Sequence, residues 1–353
     1  MLRTFPYTTL SGHQPNTRPL VEDAKQTIIH YRQLGTSELE VSSVAMGCWP
    51  ITGMTSLDVT ESESLATLQA AANAGINFFD TAYCYGMQGE SETMLGRSFA
   101  DRRAELVIAS KGGIEWNADG SRRHDASSAT LKRQCEESLQ RLGFDHIDLY
   151  YLHAPDPKTP IEESAGAIAE LIKAGKVRSA GASNCSLPQL ERFHQTCPLS
   201  AVQPHYNMLQ REIEHDILPW ARSHQISAVT YWPLLKGLLA GRLPRDFVFR
   251  EGDGRAKYPM FQGEEWERNQ DFLSTLRSIA KRIHRTVAEL VVNWTIQQAG
   301  ITSALCGAKR PYQIVESAQA MTFQLTSDLL EEINEALVQR GIPSTTSAVP
   351  SVE

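Results

Sequence analysis

Residues 147–184 read IDLYYLHAPDPKTPIEESAGAIAELIKAGKVRSAGASN. Apart from Asp148, the first six residues are apolar or aromatic, and the run stops at His153 before three closely spaced prolines. A short apolar run ended by breakers reads as a buried strand. In 161–174, Ile168, Leu171 and Ile172 recur at helical spacing, and 177–184 is again a short run of small and apolar residues. Strand, helix and strand within forty residues make a βαβ unit, whose two strands lie parallel with a right-handed crossover.

The same unit recurs on both sides. NFFDTA (77–82), LVIASK (106–111), SAVQPHYN (200–207), SAVTYWP (227–233) and TSALCGA (302–308) are equivalent runs, and a strand at about 43–47 brings the total to eight. Leu65, Leu68 and Ala72 share a face of 60–74. Leu131, Cys135, Leu139 and Leu142 share one of 127–142, where Thr130 or a Ser just before it serves as cap; Ile213, Ile217 and Trp220 mark 212–224. Eight such units predict a (β/α)8 TIM barrel. No G-x-G-x-x-G follows the first strand, which counts against an open dinucleotide-binding sheet. A β-hairpin turning near Gly35 and Ser37 precedes the barrel, an aperiodic loop at 241–264 follows strand seven, and an extra helix at about 326–340 ends it. The expected organisation is a flexible tail at 1–26, a single barrel domain at 27–340 and a C-terminal tail at 341–353.

The 353 residues are 41% hydrophobic and 21% charged, as in a globular chain with a real core. Lys and Arg number 34 against 41 Asp and Glu, a net charge of -7. That balance argues against general binding to nucleic acid or anionic membrane, each of which needs a basic face. No apolar run approaches the ~20 residues of a membrane span, and the N-terminus lacks the apolar core of a secretion signal. The six Cys are scattered, which suits free thiols in a reducing cytoplasm.

In such a barrel the site lies at the C-terminal ends of the strands. The polar groups there are Asp80, Lys111, His153, Asn184, Gln203 and Tyr231, so they point into one bowl. Tyr85 follows Asp80 by five residues. A phenol titrates near ~10, so a neighbouring cation is needed for it to exchange protons near neutrality. Lys111 is placed to be that cation, Asp80 to hold it, and His153 to bond the same substrate oxygen. The set is a proton relay aimed at a carbonyl or alkoxide oxygen.

GINFFDTAYCYGMQGESETMLG, VIASKGG, DLYYLHAPDP, GASNCS, QPHYNMLQR, TYWPLLKGLLAGR and GAKRPYQIVES together resemble, in order, the motifs of the aldo-keto reductase family. The resemblance runs from about residue 28 to 340, and is to bacterial members related to potassium-channel β subunits, which occur as monomers or oligomers. It implies a cytoplasmic NADP(H)-dependent reduction of an aldehyde or ketone, or the reverse oxidation, with Asp80, Tyr85, Lys111 and His153 as the catalytic tetrad. It also implies a cofactor site. Ser183, Asn184 and Gln203 would hold the carboxamide, Tyr231 would stack on the nicotinamide, and 232–241, with Pro233, Leu234 and Gly237, would wrap the pyrophosphate. Gly307, Lys309 and Arg310 would lie at a 2′-phosphate, with Gln313 and Glu316 near the adenosine. Many members have Lys-Ser at Gly307-Ala308, Arg at Gln313, Asn at Ser317 and a small Ser at Trp232; these departures bear on NADP(H) against NAD(H), with NADP(H) the expectation.

Trp49, Trp116 and Trp266 fall in or near loops, where they line a substrate pocket or simply pack. Cys48 and Cys84 read as small buried groups. No histidine spacing indicates a metal. Two rival functions remain open to the sequence: an NADP(H)-binding redox sensor with little turnover, and a barrel lyase using Lys111 as a Schiff base. Asp80 argues against the latter by keeping the amine charged.

Overall fold

The computed structural model describes residues 21–23, 31–54 and 57–343. Its centre is a closed barrel of eight parallel strands. In chain order these are β1 (Val44–Gly47), β2 (Phe78–Asp80), β3 (Val107–Gly112), β4 (Ile147–Leu152), β5 (Val177–Ser183), β6 (Leu199–Gln203), β7 (Ser227–Tyr231) and β8 (Ile301–Gly307). Each coincides with one of the eight runs read from sequence. β8 closes on β1 with Ala304 opposite Val44.

The helices are α1 (Glu61–Asn73), α2 (Glu90–Phe99), α3 (Ser128–Leu142), α4 (Ile161–Lys173), α5 (Leu187–Thr196), α6 (Ile217–Ser223), α7 (Gly263–Arg282), α8 (Val287–Gln297), α9 (Pro311–Gln319) and α10 (Ser327–Arg340). α3 shows how local sequence sets an element. Ser127 caps it by accepting from Thr130 N at 3.3 Å, Leu131, Cys135 and Leu142 are buried, and Gly143 ends it at φ +67. The segment 212–224 does not form one helix. Pro219 lacks the N–H that a helix running from 212 needs there, so a 3-10 turn covers Glu212–Glu214 and α6 restarts at Ile217, with Pro219 in its first turn.

The hairpin pairs Tyr31–Gln33 with Glu40–Ser42 and closes the end of the barrel away from the strand exits. Leu34, Leu39 and Val41 join Phe78, Leu149, Tyr151 and Val229 in the barrel's interior. At the turn, Gly35 has φ +58, and a Cβ there would lie 2.3 Å from Ser200 O. Only glycine fits. Arg32 then donates to the carbonyls of Ile296 and Ile301, each at 2.9 Å.

The segment expected as an aperiodic loop has more order than its sequence shows. It holds 3-10 turns at Gly254–Lys257 and Pro259–Phe261. Phe247, Phe249, Phe261 and Trp266 form a chain of ring contacts at 5.1–6.1 Å. α7 holds the loop's carbonyls. Trp266 Nε1 donates to Arg245 O at 2.9 Å, Asn269 to Met260 O at 2.9 Å, Gln270 to Leu243 O at 3.2 Å and Arg277 to Gly241 O at 3.2 Å. Trp266 is therefore a packing residue. α10 locks onto α7 through buried Arg340, which pairs with Glu265 and donates to Asn269 at 2.7 Å.

Within the tail expected at 1–26, Val21–Asp23 pairs antiparallel with Phe323–Leu325. The rest of that tail, and 344–353 of the C-terminal one, lie outside the described residues. Among the described residues no helix is long and apolar enough to cross a membrane.

Gly96 in α2 is where two helices touch backbone to backbone; a Cβ there would lie 2.2 Å from Leu142 O. Gly96→Ala is expected to cost about 1–3 kcal/mol, read as a lower thermal midpoint by circular dichroism. An unchanged midpoint would contradict this close approach.

Candidate active site

β2 ends at Asp80, and the chain beyond stays zipped to β3. Thr81 N donates to Ala109 O at 2.9 Å and Tyr83 N to Lys111 O at 3.0 Å. This carries Tyr85 to Lys111. The ammonium pairs with Asp80 and donates to Thr81 O at 2.8 Å and Tyr85 Oη at 3.3 Å. The other carboxylate oxygen accepts from Gln203 Nε2 at 2.7 Å. Lys111 and Asp80 are each about 1% exposed, so only this full set of partners makes the charges tolerable.

Burial pushes Asp80 above the ordinary carboxylate range, against the pull of Lys111. Burial would lower Lys111, but the neighbouring Asp80 and Tyr85 outweigh it and the ammonium is retained. Tyr85 departs from the expectation of a favoured phenolate. Burial pushes its phenol up to about 12, Lys111 opposing and Asp80 adding. The cation moderates the effect of burial without reversing it, so Tyr85 rests as a protonated phenol. His153 is held well below its usual value, by burial first and then by Lys111, Arg122 and His124. It is a neutral imidazole, edge-on to Tyr85 with ring centroids 5.9 Å apart. Its Nδ1 lies 3.6 Å from Cys84 Sγ. Cys48 and Cys84 are buried, and burial raises both thiols, Cys84 to about 11.

On the opposite wall, Tyr231 Oη donates to Asn184 Oδ1 at 2.8 Å, Asn184 Nδ2 to His153 O at 2.9 Å and Ser183 Oγ to Gln203 O at 2.9 Å. Asn184 sits at φ +56, a conformation Asn tolerates better than most residues. Both Nδ2 protons are engaged, the second by Ser183 Oγ at 3.2 Å. Gln203 Oε1 accepts nothing from the described residues, so what remains on this wall is largely acceptor capacity, suited to a primary amide N–H. His205, to which the sequence gave no role, stacks on Tyr231 at 5.4 Å.

Around Pro233 and Leu234 the backbone is strained. Trp232, Leu235, Lys236 and Gly237 all have positive φ, and three of these are bulky. Lys236 lies 3.6 Å above the Trp232 ring and 4.4 Å above Tyr258. At the end of β8, a Cβ on Gly307 would lie 2.9 Å from Pro50. Lys309 and Arg310 follow and reach across to the segment after β1. Arg310 donates to Asp58 O at 2.5 Å and pairs with Glu63 at 3.1 Å. Burial lowers Lys309, and Arg310 and Arg255 lower it further, which makes Arg255 of the long loop a third cation here. Gln313 accepts from Lys309 N at 2.9 Å and Arg310 N at 3.1 Å, and so caps α9. Glu316 is engaged by Arg242 at 2.7 Å.

Trp49 stands edge-on to Tyr85 at 5.1 Å, and Trp116 Nε1 donates to Cys84 O at 2.9 Å. Trp49 therefore flanks the phenol, and Trp116 packs on the same small apolar cluster as Tyr85. Among the described residues no group of three His, Cys, Asp or Glu is arranged to hold a metal.

A closed barrel with a phenol, an ammonium, a carboxylate and an imidazole at one mouth defines a class of oxidoreductase, and comparison with known proteins gives the family. The Aldo/keto reductase family model matches residues 43–338. The chain is 35% identical over 312 residues to aldo-keto reductase YhdN of Bacillus subtilis, covering 88% of this chain and 94% of that one. It is 32% identical over 322 residues to the NADH-specific methylglyoxal reductase of Escherichia coli, covering 86% and 98%. The solved glycerol dehydrogenase of Gluconobacter oxydans matches with a TM-score of 0.83 at 32% identity, covering 90% of this chain and 99% of that one. The chain belongs to the aldo/keto reductase family: an oxidoreductase on a TIM barrel, acting on the carbonyl or alcohol group of a small molecule with a nicotinamide cofactor.

The direction of the Tyr85 shift can be checked without substrate. The difference in absorbance at 295 nm between the native protein and Tyr85→Phe should show no phenolate signal through pH 10, because the phenol is pushed up to about 12. A difference signal titrating near pH 7–8 would contradict this.

Proposed function

We propose that this protein is an NADP(H)-dependent carbonyl reductase in which Tyr85 gives its phenolic proton to the substrate oxygen. The observation that carries the reading is the buried ammonium of Lys111, held by Asp80 and 3.3 Å from Tyr85 Oη. Lys111 stabilises the charge that appears on Tyr85 as its proton leaves. Neutral His153 can donate a hydrogen bond to the same oxygen, and Gln203 keeps Asp80 oriented. When bound, the nicotinamide supplies the hydride that reduces the carbonyl carbon.

The residues present fit a dinucleotide. Asn184 and Gln203 offer acceptors to its carboxamide, and Tyr231 offers an aromatic face. The strained turn at 232–237 ends in Gly237, whose missing side chain leaves space with only Arg255 at 3.6 Å. The choice of NADP(H) rests on Lys309, Arg310 and Arg255 gathered at the start of α9, where the helix N-terminus adds to their attraction for a phosphate. Family membership does not decide it, since the Escherichia coli relative is NADH-specific.

Two measurements test the proposal. Tyr85→Phe should lower kcat for carbonyl reduction by about 10²–10⁴-fold while fluorescence titration shows retained NADPH affinity; unchanged turnover would remove Tyr85 from the chemistry. Replacing both Lys309 and Arg310 with Ala should raise the KM for NADPH on the order of tenfold or more and leave that for NADH nearly as before. An unaltered NADPH-to-NADH ratio would refute the phosphate site.

A further inference from the structure

Beyond the β3 exit, the chain forms a short hairpin, Ile114–Trp116 paired with Arg122–His124, beside the barrel mouth. Its second strand carries two consecutive arginines. Alternation along the strand turns Arg123 outward and Arg122 inward, with Arg123 exposed and its two neighbours half-buried. The outward residue has carboxylate partners: Arg123 pairs with Glu115, which Arg133 also engages at 2.6 Å, and lies 3.7 Å from Asp125. The inward one has none among the described residues. Its guanidinium is instead held between two indoles, 4.9 Å from the Trp49 ring and 4.7 Å from that of Trp116. Trp49 meets Tyr85 edge-on, Trp116 packs on the same cluster as Tyr85, and the charge of Arg122 is felt at His153 and Cys84. Lys236, on the far side of the same space, is lowered to about 8 by burial and by Lys257 and Arg122. In a chain of net charge -7, Arg122 and Lys236 thus carry positive charge that no carboxylate among the described residues pairs with.

We propose that Arg122 is a specificity-determining residue that selects carbonyl substrates bearing an anionic oxygen group, a carboxylate or a phosphate. This rests on the carbonyl-reductase reading. The planar guanidinium, oriented by stacking, keeps its N–H edge for bidentate pairing with two oxygens of the anion. Pairing there places the substrate's carbonyl end toward Tyr85 and His153.

The test compares matched substrates with NADPH: succinic semialdehyde against butanal, and glyceraldehyde 3-phosphate against glyceraldehyde. The native enzyme should prefer the charged member of at least one pair, and which pair identifies the anion. Arg122→Leu should lower the charged-to-neutral ratio of kcat/KM by on the order of 30-fold or more, chiefly through KM, and Arg122→Lys should restore part of it. Equal loss for both members would mean that Arg122 only spaces the indoles, and would overturn the inference. So would a native enzyme that reduces the neutral members as well or better. Should no carbonyl be reduced, the reductase reading falls, and calorimetric titration of the NADPH-loaded protein with succinate and with inorganic phosphate then decides the anion site. Binding that Arg122→Leu abolishes supports it; no binding overturns it.

Discussion

An ammonium and a carboxylate withdrawn from water set the terms for everything around them. An ion buried alone costs several kcal/mol, so Lys111 and Asp80 are sustainable only because Thr81 O, Tyr85 Oη and Gln203 Nε2 complete their hydrogen bonds. Those partners come from the segment after β2 and from β6 on the far side of the barrel. The barrel must close in its observed register for the pair to exist. Fold and chemistry are thus coupled at one point: the same closure that satisfies the charges also holds the phenol against the ammonium.

Around this pair the molecule separates its charges. Carboxylates outnumber cations overall, yet Arg122, Lys236, Arg255, Lys309 and Arg310 gather on the face where the strands end. Aromatic rings hold several of them: Trp49 and Trp116 for Arg122, Trp232 and Tyr258 for Lys236 and Phe249 for Arg255. A ring face steadies a cation without cancelling its charge, which leaves Arg122 and Lys236 uncompensated, while Arg255 is also paired with Asp253 and Arg310 with Glu63. Positive charge gathered on one face of an anionic protein raises the local concentration of anions there.

The strands and the polar residues at their exits were legible because both are written in short local patterns. Buried parallel strands are unbroken apolar runs, and the polar residue at each exit stands out against them; Asp80, Lys111, His153, Asn184 and Gln203 come together as their positions imply. What escaped reading depends on distant contacts. α7 begins inside what reads as an aperiodic loop, because the carbonyls it holds, from Gly241 to Met260, give no periodic signal. Trp266 reads equally as a pocket or a packing residue until its indole is seen on Arg245 O. The rise of the Tyr85 phenol follows from how completely it is enclosed, which spacing from Asp80 cannot express. Arg122 is one of two adjacent arginines, and only pairing across the hairpin tells which turns inward.

The clasp of Arg340 on α7 gives the end of the chain a remote influence. α7 grips the segment carrying Arg255, and Arg340 in the final turn of α10 grips α7 through Glu265 and Asn269. Trimming the chain back through Arg340 strands a carboxylate in the interior and loosens the rail on which that segment rides. Damage at the carboxyl terminus is thereby transmitted to the segment carrying Arg255, tens of residues away in sequence, without altering Asp80, Tyr85, Lys111 or His153.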